Sequence, residues 1–322
     1  MPDSVLVLRA LGLGDTVTGI PALRGARRAW PASRLVLAAP GWYGGWLRGL
    51  GIVDEVLHAR GLARLDWLAG LGRHVALNLH GCGPQSHRVL RATRPAELIA
   101  FRCPAAGHES GPEWSWEEHE VTRWCRLVTA AGGPCSLADL RLPRLAPEHG
   151  QIVVHPGAAS ASRRWPESRW REVVSNLAGQ GYDVAVTGGR GERLLCARLA
   201  WGLPRVRDLS GHLSVAALAD LVAGAPLLLA GDTGPAHLAT AYGTPSVLLF
   251  GPTSPARWGP VLDVERHIVL WHGDQAEGDP HADELDPALA RIEVAEVLDA
   301  AHTVLAGAGR RTVPVQKLEP RP

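Results

Sequence analysis

Short, nearly continuous apolar runs alternate with longer amphipathic stretches in this chain, and the alternation occurs twice. The first set of runs covers residues 5–10, 34–39, 53–57 and 74–79, with helix-like stretches at 16–30, 42–50 and 62–70 between them. A short apolar run without polar alternation is the pattern of a strand buried on both faces. Strands of that kind joined by helices require a parallel sheet covered on both sides. Between residues 132 and 150 the chain is punctuated by Gly132-Gly133-Pro134, Pro143 and Pro147, which marks a linker. The pattern then restarts, with strands predicted at 151–155, 182–187, 227–230 and 246–250. Helices are predicted at 167–180, 190–200, 214–223 (capped by Ser214) and from 234 onward, and 288–305 reads as a terminal helix.

Two α/β halves of similar size put a cleft between the carboxyl ends of their sheets, which is where open α/β sheets bind ligands. The expected architecture is two facing Rossmann-like domains. Residues 1–147 form an N-terminal unit and 148–306 a C-terminal one. The terminal helix is a candidate to pack back on the first unit, and 307–322 reads as a disordered tail.

Composition removes several classes. A formal net charge of +1 lacks the basic footprint of a nucleic-acid binder. Cys82, Cys103, Cys125, Cys135 and Cys196 contain no C-x-x-C pair, so they read as reduced thiols and not as a disulfide framework or zinc site. No run of about 18 apolar residues would span a bilayer, and no basic-then-apolar leader opens the chain. The expectation is a cytoplasmic protein without a transmembrane segment, with peripheral membrane contact left open.

Three segments carry chemistry. Gly231-Asp232-Thr233-Gly234-Pro235-Ala236-His237 joins an apolar run to a helix start, whose unpaired amides and dipole suit a phosphate. Asp232 fits a helix cap or a partner for a sugar hydroxyl better than a phosphate contact. Gly12-Leu13-Gly14-Asp15 is a tight turn after the first strand. Val17 stands where a dinucleotide fingerprint needs a third glycine, and no acid follows the 34–39 strand, which argues against NAD. Asp15 there either caps the following helix or serves as a general base toward a hydroxyl. The loop from His155-Pro156-Gly157 to Arg163-Arg164-Trp165-Pro166 offers the hydroxyls of Ser160 and Ser162 and arginines able to clamp a diphosphate. Arg88, Arg91 and Arg94 recur at helical spacing, the pattern of a basic or solvated helix face.

These segments, with Pro21, Asn78-Leu79-His80-Gly81 and Phe250-Gly251-Pro252-Thr253, resemble the pattern of glycosyltransferase family 9, the ADP-heptose:lipopolysaccharide heptosyltransferases. The resemblance implies the GT-B fold, an inverting mechanism, no metal or other cofactor, and a nucleotide-sugar donor held mainly by the second half. It implies Asp15 as catalytic base and Arg163 in place of a lysine at the donor diphosphate. Asp232 would face the sugar hydroxyls, Gly234 the phosphate, and Thr233 and His237 complete the donor site. Gly14, His80, Arg88 and Arg91 fall on the acceptor side, and the acceptor itself is a glycan, a lipid-linked sugar or a small molecule. This chain departs from the pattern at Ala158 and Ala159, where hydroxyl residues are frequent and Ser160 and Ser162 stand in. Arg163 replaces a point charge by a planar fork. A loop with His272, Asp279, His281 and Asp283, read as solvated and not metal-binding, replaces a cysteine-rich one. A nucleotide-sugar epimerase or a non-catalytic sugar-nucleotide binder are the alternatives on the same fold.

Overall fold

A computed structural model describes residues 2–67, 73–144, 147–274 and 278–309. In the first half, β1 (Ser4–Leu8) leads through α1 (Leu13–Thr18) and α2 (Ile20–Ala29) to β2 (Arg34–Ala39). Then come α3 (Gly41–Gly49), β3 (Glu55–His58), β4 (His74–Asn78), α4 (Gln85–Arg91), β5 (Glu97–Ile99) and α5 (Glu120–Ala130). The strands pair in parallel in the order β3-β2-β1-β4-β5.

The second half repeats the plan with β6 (Ile152–His155), α6 (Glu167–Gly179), β7 (Val184–Val186), α7 (Arg193–Ala200), β8 (Val206–Asp208) and α8 (Val215–Ala223). It continues with β9 (Leu228–Gly231), α9 (Gly234–Tyr242), β10 (Ser246–Leu249), α10 (Pro255–Trp258) and β11 (His267–Leu270). The helices α11 (Pro287–Ala290) and α12 (Val294–Gly309) close it. Its sheet order is β11-β10-β9-β6-β7-β8, also parallel. In both sheets the order reverses beside the first strand, between β1 and β4 and between β6 and β9. Those switch points are where loops diverge and leave a crevice.

The core sits in three layers. Leu6, Leu8, Val36 and Ala76 fill the outer face of the first sheet, and Val154, Trp170, Val186 and Val297 that of the second. The middle layer is continuous between the halves: Val17, Ile20 and Trp124 belong to the same buried cluster as Val222, Leu238 and Phe250.

Several expectations change. Residues 62–67 form no helix, and 68–70 lie outside the described residues. The predicted 16–30 helix starts earlier and breaks at Gly19, with Pro21 in the first turn of α2. Among the described residues the terminal helix keeps mainly to the second half. It packs on α6, β10 and β11, placing Val297 and Ala301 in the second sheet's outer core. Residues 307–309 extend α12 instead of starting a tail, and 310–322 lie outside the described residues.

Candidate active site

Gly12 begins the first turn of α1, so Asp15 stands at its third residue, and its Oδ2 accepts from the Gly12 amide at 3.3 Å. The capping alternative is thus partly realised, one turn earlier than expected, while the carboxylate keeps 29% of its surface open. Burial is the main influence on Asp15 and raises its pKa. The Glu120 carboxylate adds to the rise, against opposing pulls from Arg9, His237 and the Gly12 amide.

Across the switch point, the Ala10 amide donates to His80 Nδ1 at 3.2 Å, linking the ends of β1 and β4. Burial, reinforced by Arg9, pushes the His80 imidazolium pKa down to about 4, so the ring is neutral near pH 7. Arg88 and Arg91 are exposed on α4, and each turns a guanidinium nitrogen onto a loop carbonyl, Ala105 and Gly107 respectively.

In the second half, Thr233 takes the N-cap position of α9, but its hydroxyl donates back to the Gly231 carbonyl at 3.2 Å. The first amides of α9 therefore have no side-chain cap. Asp232 precedes the cap and does not serve as one; its Oδ1 lies 3.6 Å from His237 Nε2. The His237 ring stands edge-on to Trp258, 5.7 Å between centroids. Arg163 Nη1 donates to the Asp232 carbonyl at 3.2 Å, and its buried Nε has no partner among the described residues.

Ser160 is half-buried at the start of the short 3-10 turn formed by Ala161–Arg163. Ser162 lies deeper. It is 1% exposed, its backbone is held between Ala282 and Asp286, and its buried Oγ has no hydrogen-bond partner among the described residues. At the end of the same loop the Trp165 indole donates to the Ile292 carbonyl at 3.1 Å.

The two halves meet at the helix starts. A Cβ added at Gly14 would lie 2.7 Å from His237 Cδ2, and one at Gly234 would lie 2.7 Å from Leu13 Cβ. Neither position has room for a side chain. Asp15, Gly14, Gly234 and His237, all expected from sequence, are brought together here, with Asp232 and Arg163 behind them.

Sequence reasoning passed over Arg9, Glu120 and Glu192. Arg9 interrupts an otherwise apolar run, and Glu120 pairs with Arg123 at helical spacing; both signals were present. Glu192 follows β7, where Oε2 accepts from the Gly189 amide at 2.6 Å and Oε1 would lie 1.8 Å from a Cβ at Gly157. An acid after the second strand of a Rossmann-like unit is a ribose-binding position. Among the described residues, no group of three or more His, Cys, Asp or Glu side chains is arranged to hold a metal ion, and no helix is long and apolar enough to cross a membrane.

Residues 113–284 match the sequence pattern of glycosyltransferase family 9 (heptosyltransferase). The chain belongs to that family. Lipopolysaccharide heptosyltransferase 1 of Escherichia coli K12 is 32% identical over 292 residues, covering 79% of this chain and 90% of that protein. Its Pseudomonas aeruginosa counterpart is 29% identical over 309 residues, covering 79% of this chain and 80% of the other. The solved structure of E. coli ADP-heptose lipopolysaccharide heptosyltransferase II superposes with a TM-score of 0.74 over 95% of this chain and 99% of its own, at 19% identity. That likeness establishes the GT-B fold. As a family 9 glycosyltransferase, the chain places its two switch points face to face across the cleft.

Proposed function

We propose that this chain transfers a heptose from ADP-heptose to a hydroxyl of a lipopolysaccharide-type acceptor, with inversion at the anomeric carbon and without a metal. The observation that carries this reading is the contact of Gly14 with His237, which sets the open carboxylate of Asp15 opposite the uncapped start of α9. The names of the family relatives supply the sugar and the acceptor class.

The donor lies along the β6–β9 crevice. Its diphosphate meets the first amides of α9 and the guanidinium of Arg163, and its ribose hydroxyls meet Glu192. Asp232 and His237 hold the sugar. Asp15 takes the proton from the acceptor hydroxyl as that oxygen bonds to the anomeric carbon, and the bond from that carbon to the diphosphate oxygen breaks. The leaving ADP carries away the electron pair, stabilised by the helix dipole and Arg163. A fixed cation and oriented amides supply the charge neutralisation that a divalent ion supplies in other transferases.

The test is Asp15→Asn. We expect transfer to fall by about 10²–10⁴-fold, in line with removal of a general base, while calorimetry shows donor binding retained. Full transfer by the variant would sink the base assignment. Conversion of the donor sugar without any acceptor would favour an epimerase.

A further inference from the structure

Beneath Asp15 lies a buried charged cluster that the chemistry above does not use. Arg9 leaves the end of β1 with only 1% of its surface exposed. Its Nε donates to the main-chain oxygen of Asp15 and its Nη1 to that of Leu79. Its Nη2 donates to Thr18 Oγ1 and to Glu120 Oε1, each at 3.1 Å. The guanidinium lies 5.0 Å over the Trp124 ring, and Nη2 is 3.9 Å from Asp15 Oδ1. The break between α1 and α2 is shaped around this group, since a Cβ at Gly19 would come within 2.7 Å of Arg9 Nε.

Glu120 is anchored in turn by Arg123 and by the Trp124 indole, which donates to its Oε1 at 2.6 Å. Stability alone explains such a cluster poorly, because apolar side chains of similar volume commonly replace buried ion pairs without loss. Every donor of Arg9 instead reaches an element that borders the cleft: α1, the end of β4, and α5.

We propose that Arg9 is a positioning residue for Asp15, holding the start of α1 against β4 and, in balance with Glu120, setting the charge environment of the carboxylate. Its importance for transfer rests on Asp15 being the base. Among the described residues, the charged or titratable side chains that act on the Asp15 carboxyl are Arg9 just past β1, Glu120 of α5 and His237 of α9. Arg9 and Glu120 act on it with opposite sign, which separates this role from a merely structural one.

The experiment follows the carboxyl carbon of Asp15 by NMR in full-length protein labelled with 13C-carboxyl aspartate, the signal assigned by its loss in Asp15→Asn. We expect Arg9→Met to move the Asp15 midpoint up by about one pH unit and Glu120→Gln to move it down by a smaller amount. Arg9→Lys keeps the charge but cannot reproduce the fork to the Asp15 and Leu79 carbonyls. Its midpoint should stay near the wild-type value while kcat falls about tenfold at unchanged donor KM. Midpoints that stay put, or that move together in Arg9→Met and Glu120→Gln, overturn the proposal. Should Arg9→Met fail to fold, Glu120→Gln, which keeps the size of the side chain, still decides it: a downward shift supports the proposal and no shift overturns it. Opposite shifts alongside full transfer by Asp15→Asn would uphold the hold of Arg9 on the carboxylate and remove only the base.

Discussion

At the residue scale, Asp15 combines exposure to the cleft with a raised proton affinity, and two consequences follow from that sign. A base must be ionised, so kcat/KM should fall on the acid side at a pH above the ordinary carboxylate range, measured as a pH–rate profile. The folded protein also binds a proton at Asp15 more tightly than the unfolded chain does. Ionised Asp15 therefore destabilises the fold at pH above its raised pKa, and the penalty vanishes below the unfolded value. Asp15→Asn should raise Tm near neutral pH by roughly 1–3 °C, a difference that closes as pH falls into the ordinary carboxylate range. An equal Tm gain at all pH values would contradict this. Glu120 is the reverse case: although burial opposes it, Arg9, Trp124 and Arg123 hold its pKa below the usual value. Its stabilisation is present above the unfolded pKa and is lost as pH falls through the lower folded one.

At the scale of elements, the decisive contact is α1 against α9. A Cβ at Gly234 would meet Leu13 at its own Cβ, close to the backbone, where no rotamer change relieves the clash. Gly234→Ala should therefore part the helix starts and lower kcat/KM by about 10²-fold, as expected when reacting groups are displaced by about 1 Å. Initial rates on the variant check this, and unaltered rates would show that the contact is dispensable. Capping gives a more local expectation. Ser214 Oγ accepts from the Ala217 amide at 3.1 Å, so Ser214→Ala should cost about 1 kcal/mol by denaturant titration and leave transfer rates unchanged. Interior strands such as β1, β4, β9 and β10 were readable because every residue in them is buried and their central positions are apolar. Among the edge strands β3 was readable too, but β8 was not, because Arg207 and Asp208 interrupt its run, and β5 and β11 offer only three and four residues.

At the scale of the whole molecule, the halves are fastened by more than a linker. The Leu142 amide donates to the Ala241 carbonyl at 2.9 Å, and Arg144 donates to the carbonyls of Tyr242 and Gly243. Arg141 forms a two-pronged pair with Asp263 at 2.8 and 2.9 Å, and the imidazole of His119 bonds the Gly259 carbonyl at 3.0 Å. With a middle core shared between the sheets, the halves should unfold together. Calorimetry should show one transition with matching calorimetric and van't Hoff enthalpies, and two resolved transitions would contradict a shared core. The Arg141–Asp263 pair is partly exposed, so Arg141→Ala should change stability by no more than about 1 kcal/mol.

The sequence by itself determined the doubled α/β plan, the parallel sheets and the loops that carry Asp15, Arg163 and Asp232, because apolar periodicity and glycine turns are local properties of the chain. It could not determine that Ser162 is buried, since the backbone of Ser162 bonds Ala282 and Asp286, more than a hundred residues away. Nor could it reveal that α12 stays with the second sheet, because its apolar stripe would have fitted either half. The grouping of Arg9 with Glu120 beneath Asp15 is likewise tertiary. The fold brings the two charges, 111 residues apart along the chain, within 3.1 Å of each other, and Arg123 and Trp124 complete the surroundings of Glu120.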